Sequence, residues 1–267
     1  MLKNFGKIAM LGVLVLLTFS CKKKKKLNKL LETAACPVIA LIEPDGTSWQ
    51  DFEYVGKQLT RIYFNDDTRM VLSIRYGEDQ RIKTLEIDNE VDLEKVVVSY
   101  TYDEDGQISE TNSSISGLPF MHNVFTWQDN KVVSVKTTVE LFGRSVDGQT
   151  RIEYTGNNVR AVYQSIDGDP EKMVYQGEKY DDKPLFMPGV FRQVCLGFVG
   201  IANNFFSYMG KNNMVIGKLY NDEGKVDQTT QIIFDYYKKD LIMSSEYIIE
   251  QNGEITSSTL RYEYDCN

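Results

Sequence analysis

Histidine is almost missing from this chain: of 267 residues only His122 is one. Catalysis of the Ser-His-Asp or Cys-His kind would have to pass through that single side chain. It follows Gly117-Leu118-Pro119-Phe120-Met121, which reads as a loop. Cysteine is scarce too, at four residues with no Cys-x-x-Cys pair, so a zinc cluster has neither its thiolates nor its imidazoles. The chain contains no Gly-x-Ser-x-Gly elbow; Gly143-Arg144-Ser145-Val146-Asp147 lacks the final glycine. No phosphate-cradling Gly-Lys-Ser or Gly-Lys-Thr loop and no dinucleotide fingerprint occurs. These gaps give no metal and no cofactor.

Positive charge is short as well, outside one place. The formal net charge is −8, and the lysines up to Lys29 mask how acidic the rest is. From Leu30 onward there are 22 basic and 38 acidic residues. Nucleic-acid binding rests on Lys and Arg neutralising phosphates, so such a body is a poor candidate for it. Carboxylates are abundant without any pair standing out as a glycosidase couple. Asp103-Glu104-Asp105-Gly106 and Asp222-Glu223-Gly224 lack the alternating ligands and distal Glu of an EF-type loop, and read as turns.

Long apolar runs are limited to one. Ile8 to Phe19 is apolar apart from Gly12 and Thr18, behind Lys3 and Lys7 and ahead of Ser20-Cys21. A bilayer span needs about 20 such residues, so this run fits a cleaved secretory signal over residues 1–20. Leu17-Thr18-Phe19-Ser20-Cys21 resembles the bacterial lipoprotein box, in the looser form of Bacteroidota lipoproteins. That resemblance implies cleavage before Cys21, acylation of Cys21 and a lipid anchor; several acyl chains hold stably where one does not. Lys22 to Lys26 then form a solvated basic tether, with attraction to anionic headgroups available to it. The run does not resemble the acidic stretch that marks surface export in these lipoproteins. The expected address is therefore the periplasmic face of an outer membrane.

After lipidation, Cys36, Cys195 and Cys266 remain. Cys36 and Cys266 lie near the two ends of the body and are a candidate disulfide pair in a compartment that permits one. Cys195 sits among apolar residues and reads as a buried thiol.

What the chain does have is strands. Residues 21–48 read as tether and linker, with Leu27, Leu30, Leu31 and Ala34 at helical spacing. Residues 49–267 read as one β domain. Runs rich in Val, Ile, Tyr and Thr turn at Gly, Asn and Asp, as in Val98-Ser99-Tyr100-Thr101-Tyr102 before Asp103 to Gly106. An aromatic closes the first strand of each pair: Tyr76, Tyr102, Trp127, Tyr154 and Tyr180 follow one another at 25 to 27 residues, and Tyr236 and Tyr264 at 28. A fixed period of this size marks a repeated supersecondary unit. Strand alternation sends Tyr100 and Tyr102 to one face and Thr101 to the other, so one face is apolar.

These hairpins resemble YD-type repeats of wall-associated and Rhs proteins. The layout, with Tyr180-Asp181-Asp182-Lys183-Pro184 near its end, resembles Bacteroidota lipoproteins of unknown function with a porin-like sheet. The resemblance implies a fold and an address, not an activity. The expected architecture is all-β: a long antiparallel meander curled into an open or partly closed barrel. A short helical insert is expected near 187–208, where Phe191, Val194, Cys195 and Phe198 share a helix face. It either plugs the concave side or covers a ligand cavity. Three roles follow for an envelope lipoprotein with these features. The first is non-enzymatic binding of a lipid, another hydrophobic ligand or a glycan on the curled sheet. The second is a structural or assembly role holding an envelope protein partner. The third, least supported, is a carboxylate-dependent hydrolase.

Overall fold

The computed structural model describes residues 36–65, 69–89, 95–141, 143–187, 189–199, 204–237 and 240–266. Cys21, the signal segment and the basic tether lie outside these residues, as does the helical spacing at 27–34.

Sixteen antiparallel strands, β1 (Val38–Ile42) to β16 (Glu254–Tyr264), run as an unbroken meander. The last pairs with the first, Leu41 opposite Tyr262, and the barrel is closed rather than open. Closure leaves no unpaired sheet edge. Beside this seam Cys36 and Cys266 are joined by a disulfide, with Cα atoms 4.3 Å apart. The first strand occupies part of what reads as linker in the sequence. Pro44-Asp45-Gly46 marks the β1–β2 turn rather than a domain boundary, with Gly46 at φ 91° and its N–H donating to Glu43 O (3.0 Å).

The aromatic period has a structural cause. At one end of the barrel, the near rim, each even-numbered strand turns into the next odd one, and both ends of the described chain lie there. Just before most of these turns a bulge shifts the register, as between Thr101 and Tyr102 of β6 (Val96–Tyr102). A bulge disrupts the ladder locally and leaves a backbone group to be satisfied otherwise. The aromatic of the next hairpin does this. Ile82 stands opposite Tyr76, and its carbonyl accepts the Tyr102 hydroxyl (2.8 Å). Ile108 stands opposite Tyr102 and accepts from Trp127 Nε1 (2.7 Å). Val132, opposite Trp127, accepts from Tyr154 (3.0 Å), and Val159, opposite Tyr154, accepts from Tyr180 (2.7 Å). Tyr76 donates to Leu59 O (2.7 Å) and Tyr264 to Ile242 O (2.9 Å). Across the seam, Val38 stands opposite Tyr264 and accepts from Tyr54 (3.0 Å). Each aromatic thus ties its hairpin to the neighbouring one, and the chain of ties runs through the closure. Tyr54, at the end of β2 (Ser48–Val55), is a member that the period from Tyr76 onward does not include.

The seventh position in chain order, Tyr236, departs from the rule. Between β12 (Lys172–Pro184) and β13 (Asn212–Tyr220) the short turn is replaced by a segment that folds back into the lumen. It contains α1 (Gly189–Leu196) and a 3-10 turn, Asn204–Met209. Tyr236 here donates to the Asp181 carboxylate and accepts from Asn213 Nδ2 (3.1 Å). Asn213 also accepts from Phe186 N (3.0 Å) and donates to Pro184 O (3.1 Å), so the same cluster fixes the entry of the insert.

The expected helix face is the packed one. Phe191, Val194, Cys195 and Phe198 are all buried inside the barrel. Gly197 ends the helix against the wall: a Cβ there would stand 2.6 Å from Tyr100 Oη. Beyond it, Asn123 of β8 (Leu118–Gln128) donates to Val199 O (3.2 Å) and accepts from Thr137 (2.6 Å), taking up a carbonyl past the helix end.

The outer wall is charged. Arg75 and Lys95 both pair with Glu86, Arg61 with Glu53, Lys218 with Glu178, and Arg151 with Glu153 and Glu171. The inner wall is apolar, with Leu72, Ile82, Leu85, Val98, Val135 and Val162 all at 1% exposure or less. A membrane-spanning barrel shows the opposite pattern, an apolar outer band around a polar interior. Strands β1, β3 (Gln58–Phe64), β4 (Met70–Tyr76) and β6 also have only five to seven residues, short of the 9–11 that a spanning strand needs. This wall is built for water.

Candidate ligand site in the lumen

The insert fills the lumen unevenly. Its 3-10 turn packs on β11, β12 and β13, and a gap remains between that turn and the inner faces of β13 to β16. The gap is a cavity of about 310 Å³. Its floor is Ser207 and Tyr208 of the 3-10 turn. Gln228, Thr230 and Ile232 of β14 (Val226–Tyr236), two residues apart, face it from one strand. Tyr247 and Ile249 of β15 (Ile242–Gln251) face it from the next, and Trp49 and Glu43 stand at the mouth. The mouth opens at the far rim.

The lining has an apolar body with hydroxyls set into it. Tyr208 is wedged edge-on against Phe191, with ring centroids 5.3 Å apart at 88°. Tyr175 Oη donates to Met214 Sδ (3.1 Å). Behind Tyr247, Tyr262 Oη lies 2.9 Å from Ser245 Oγ and 3.5 Å from Tyr247 Oη. Burial raises the pKa of Tyr208, Tyr247 and Tyr262, which stay neutral donors and acceptors at any physiological pH. Two charged residues border the cavity: Lys218, whose ammonium pairs with Glu178 on the outer wall, and Glu43 at the mouth. Glu43 is the one carboxylate of the lining among the described residues, and Asp45, Glu250 and Glu254 lie on the same rim.

The remaining sequence candidates are dispersed. His122 is on a strand, not in a loop, 3.2 Å from Glu110 on the outer wall. The type of turn explains the misreading: Ser116 and Gly117, at φ 50° and 84°, make a two-residue hairpin, and Pro119 sits at a bulge where no ladder donor is needed. Asp103 to Gly106 and Asp222 to Gly224 are hairpin turns. Cys195 is buried in α1, its thiol pushed to higher pKa by desolvation. None of these touches the cavity. Of the residues that line it, Ser207 and Tyr208 belong to the insert expected near 187–208; the strand residues were not singled out by the sequence.

Two solved structures share this architecture. One is a porin-like protein from Bacteroides uniformis, with a TM-score of 0.53 at 14% identity over 87% of this chain and 98% of that one. The other is a porin-like protein from Bacteroides vulgatus, with a TM-score of 0.51 at 9% identity over 86% and 99%. The chain has a porin-like barrel fold. No protein-family model and no curated relative matches the sequence. At such identities the likeness extends to the fold alone.

Proposed function

We propose that this protein is a non-enzymatic, lipid-anchored barrel of the cell envelope that holds an uncharged amphipathic ligand in its lumen. The luminal cavity carries this reading. At about 310 Å³ it reaches the lower range of small-molecule sites. Its Ile, Leu, Met and aromatic surface suits an acyl chain or the flat face of a sugar ring. Its Tyr, Ser and Thr hydroxyls give such a ligand hydrogen bonds that would otherwise be lost on leaving water. The acidic mouth disfavours an anionic headgroup. A hydrolase of the two-carboxylate kind would need a second acid beside Glu43 in this lining. The anchor is the acylated Cys21. The Cys36–Cys266 disulfide fits an oxidising compartment such as the periplasm.

Native mass spectrometry of the mature protein from its own host tests the proposal, with displacement of the neutral dye Nile red as a second readout. A co-purified ligand of a few hundred daltons is expected. Thr230→Trp, which fills the cavity, should weaken dye binding about tenfold. An empty protein that also fails to bind the dye would refute the ligand role.

A second reading, a surface holding a protein partner, is favoured by one observation. Leu118, Ile166, Val226 and Ile255 are exposed at 47–73% on the far rim, where apolar side chains have no neighbours to cover them. Ligand-free monomer together with a partner cross-linked at this rim would support it instead.

A further inference from the structure

A second recess lies at the near rim, across the plug from the luminal cavity. It measures about 370 Å³ and is lined by Trp127, Lys131, Tyr154, Arg192 and Lys211, with Asp129 as its carboxylate among the described residues. Three cations face one carboxylate there.

Arg192 is the unusual member. It lies on α1, inside the barrel, and is largely buried. One of its terminal nitrogens donates to Gly210 O (2.9 Å), but its Nε is buried without a hydrogen-bond partner. A guanidinium remains charged in proteins, and a buried charge is costly without a counter-charge. No carboxylate among the described residues pairs with it. Burial lowers its pKa, as expected for a cation lacking an anion. Lys211 is exposed and held by its backbone, which donates to Asn157 O and Asn158 Oδ1. Lys131 donates to Gly156 O (2.6 Å) and lies 5.5 Å from the Tyr154 ring centre.

The aromatic walls are fixed beforehand. Trp127 and Tyr154 are two rungs of the rim ladder, tied to Ile108 O and Val132 O. Their rings cannot swing away from the recess without breaking those bonds. A planar guanidinium, two lysines and two immobilised rings form a pocket for an anion carrying a compact organic body.

We infer that this recess binds a phosphate-bearing group, with the phosphate between Arg192, Lys131 and Lys211 and the attached body against Trp127 and Tyr154. The same chemistry is offered by a phospholipid headgroup and by a free phosphorylated polyol. This site is separate from the luminal cavity and does not depend on what occupies it.

Isothermal titration of the disulfide-intact barrel at low ionic strength tests the inference, using inorganic phosphate, glycerol 3-phosphate, micelle-free dihexanoyl phosphatidylglycerol and uncharged glycerol. Glycerol 3-phosphate should bind more tightly than inorganic phosphate, and glycerol should not bind. Tighter binding of the phosphatidylglycerol assigns the site to a lipid headgroup; tighter binding of glycerol 3-phosphate assigns it to a free metabolite. Binding should weaken with salt. Lys211→Ala, a change at an exposed side chain that leaves the plug intact, should weaken it about tenfold, and Arg192→Gln by more. No heat with any phosphate probe on the folded wild type would overturn the inference. So would affinity unchanged in Lys211→Ala, which would place the anion elsewhere.

Discussion

Replacing Tyr102 by Phe removes one hydroxyl and little else. The ring keeps its place beside Tyr100, and the Arg81 guanidinium, 5.1 Å from the ring centre, keeps its aromatic partner. What disappears is the 2.8 Å bond to Ile82 O. A neutral hydrogen bond contributes about 1 kcal/mol net, and a buried acceptor left without a partner costs about 1–3 kcal/mol. The Ile82 carbonyl is at the rim, where water can partly replace the phenol, so the loss should fall near the low end, at about 1–2 kcal/mol. In a domain of this size each kcal/mol moves the melting temperature by roughly 2–4 °C, so Tyr102→Phe should melt roughly 2–8 °C lower. Tyr63→Phe is the control. Its hydroxyl donates to Glu53 Oε2 (2.9 Å) on the exposed outer wall, and its loss should stay within about 0.5 kcal/mol. Tyr102→Phe and Tyr154→Phe lie two hairpins apart and should add to within about 0.5 kcal/mol. Tyr236→Phe should exceed both single changes, because it strips a donor from the Asp181 carboxylate where the insert enters. Urea unfolding followed by tryptophan fluorescence and circular dichroism measures all five. If Tyr102→Phe proves no more costly than Tyr63→Phe, the aromatic period is a matter of packing and the ladder does not hold the rim.

The Cys36–Cys266 bridge closes a loop with a sequence separation of 230, for which the chain-entropy estimate is about 5 kcal/mol. The Cys36→Ser/Cys266→Ser double variant should therefore melt roughly 10–20 °C lower, with β1 exchanging its amide protons first; a change under about 3 °C would show that strand pairing alone closes the barrel. Alkali should act on the ladder. Burial holds the phenols of Tyr76, Tyr180 and Tyr264 up at about 12, against about 10 in an unfolded chain. The unfolded state then loses protons first, so stability is complete below about pH 10 and falls as pH rises towards 12. Phenolate absorbance and melting temperature against pH check this, and ladder tyrosines that ionise near pH 10 without loss of structure would contradict it.

The fold was more legible in the sequence than the site, and particular residues show why. Hairpin turns are local, so Asp103 to Gly106 announces its own geometry, with Gly106 at φ 80°. The aromatic period is legible because each hairpin repeats the same bulge and needs the same donor one unit later. The insert is legible because its apolar residues switch from a period of two to helical spacing at Phe191. Closure is a different kind of fact. It depends on a five-residue strand, β1, meeting a strand more than 210 residues away, and Val38–Ile42 between two prolines carries no sign of that. The cavity is harder still to see. It is the space left when a plug of one size enters a lumen of another, and no residue of its lining differs in kind from those that pack the other half.

The direction of the strand alternation decides how such a barrel meets a membrane. One topology serves both solvents: a strand shifted by one residue exchanges its inner and outer faces. Here Arg151, Glu153 and Glu86 face out while Ile152, Leu85 and Val98 face in, so these strands turn charge rather than an apolar band outward. On the proposal that Cys21 is acylated, membrane attachment must therefore come through the tether. The 15 residues from Cys21 to Cys36 reach at most about 50 Å when fully extended. They join the barrel at the near rim, which on that proposal is the tethered end. The mouth of the luminal cavity is at the other end, rimmed by Glu43, Asp45, Glu250 and Glu254. A ligand would enter it at the end away from the tether, while the basic recess at Arg192 lies at the tethered end. The two ends of the barrel thus offer different chemistry to different surroundings, and a variant at either end should leave binding at the other unchanged.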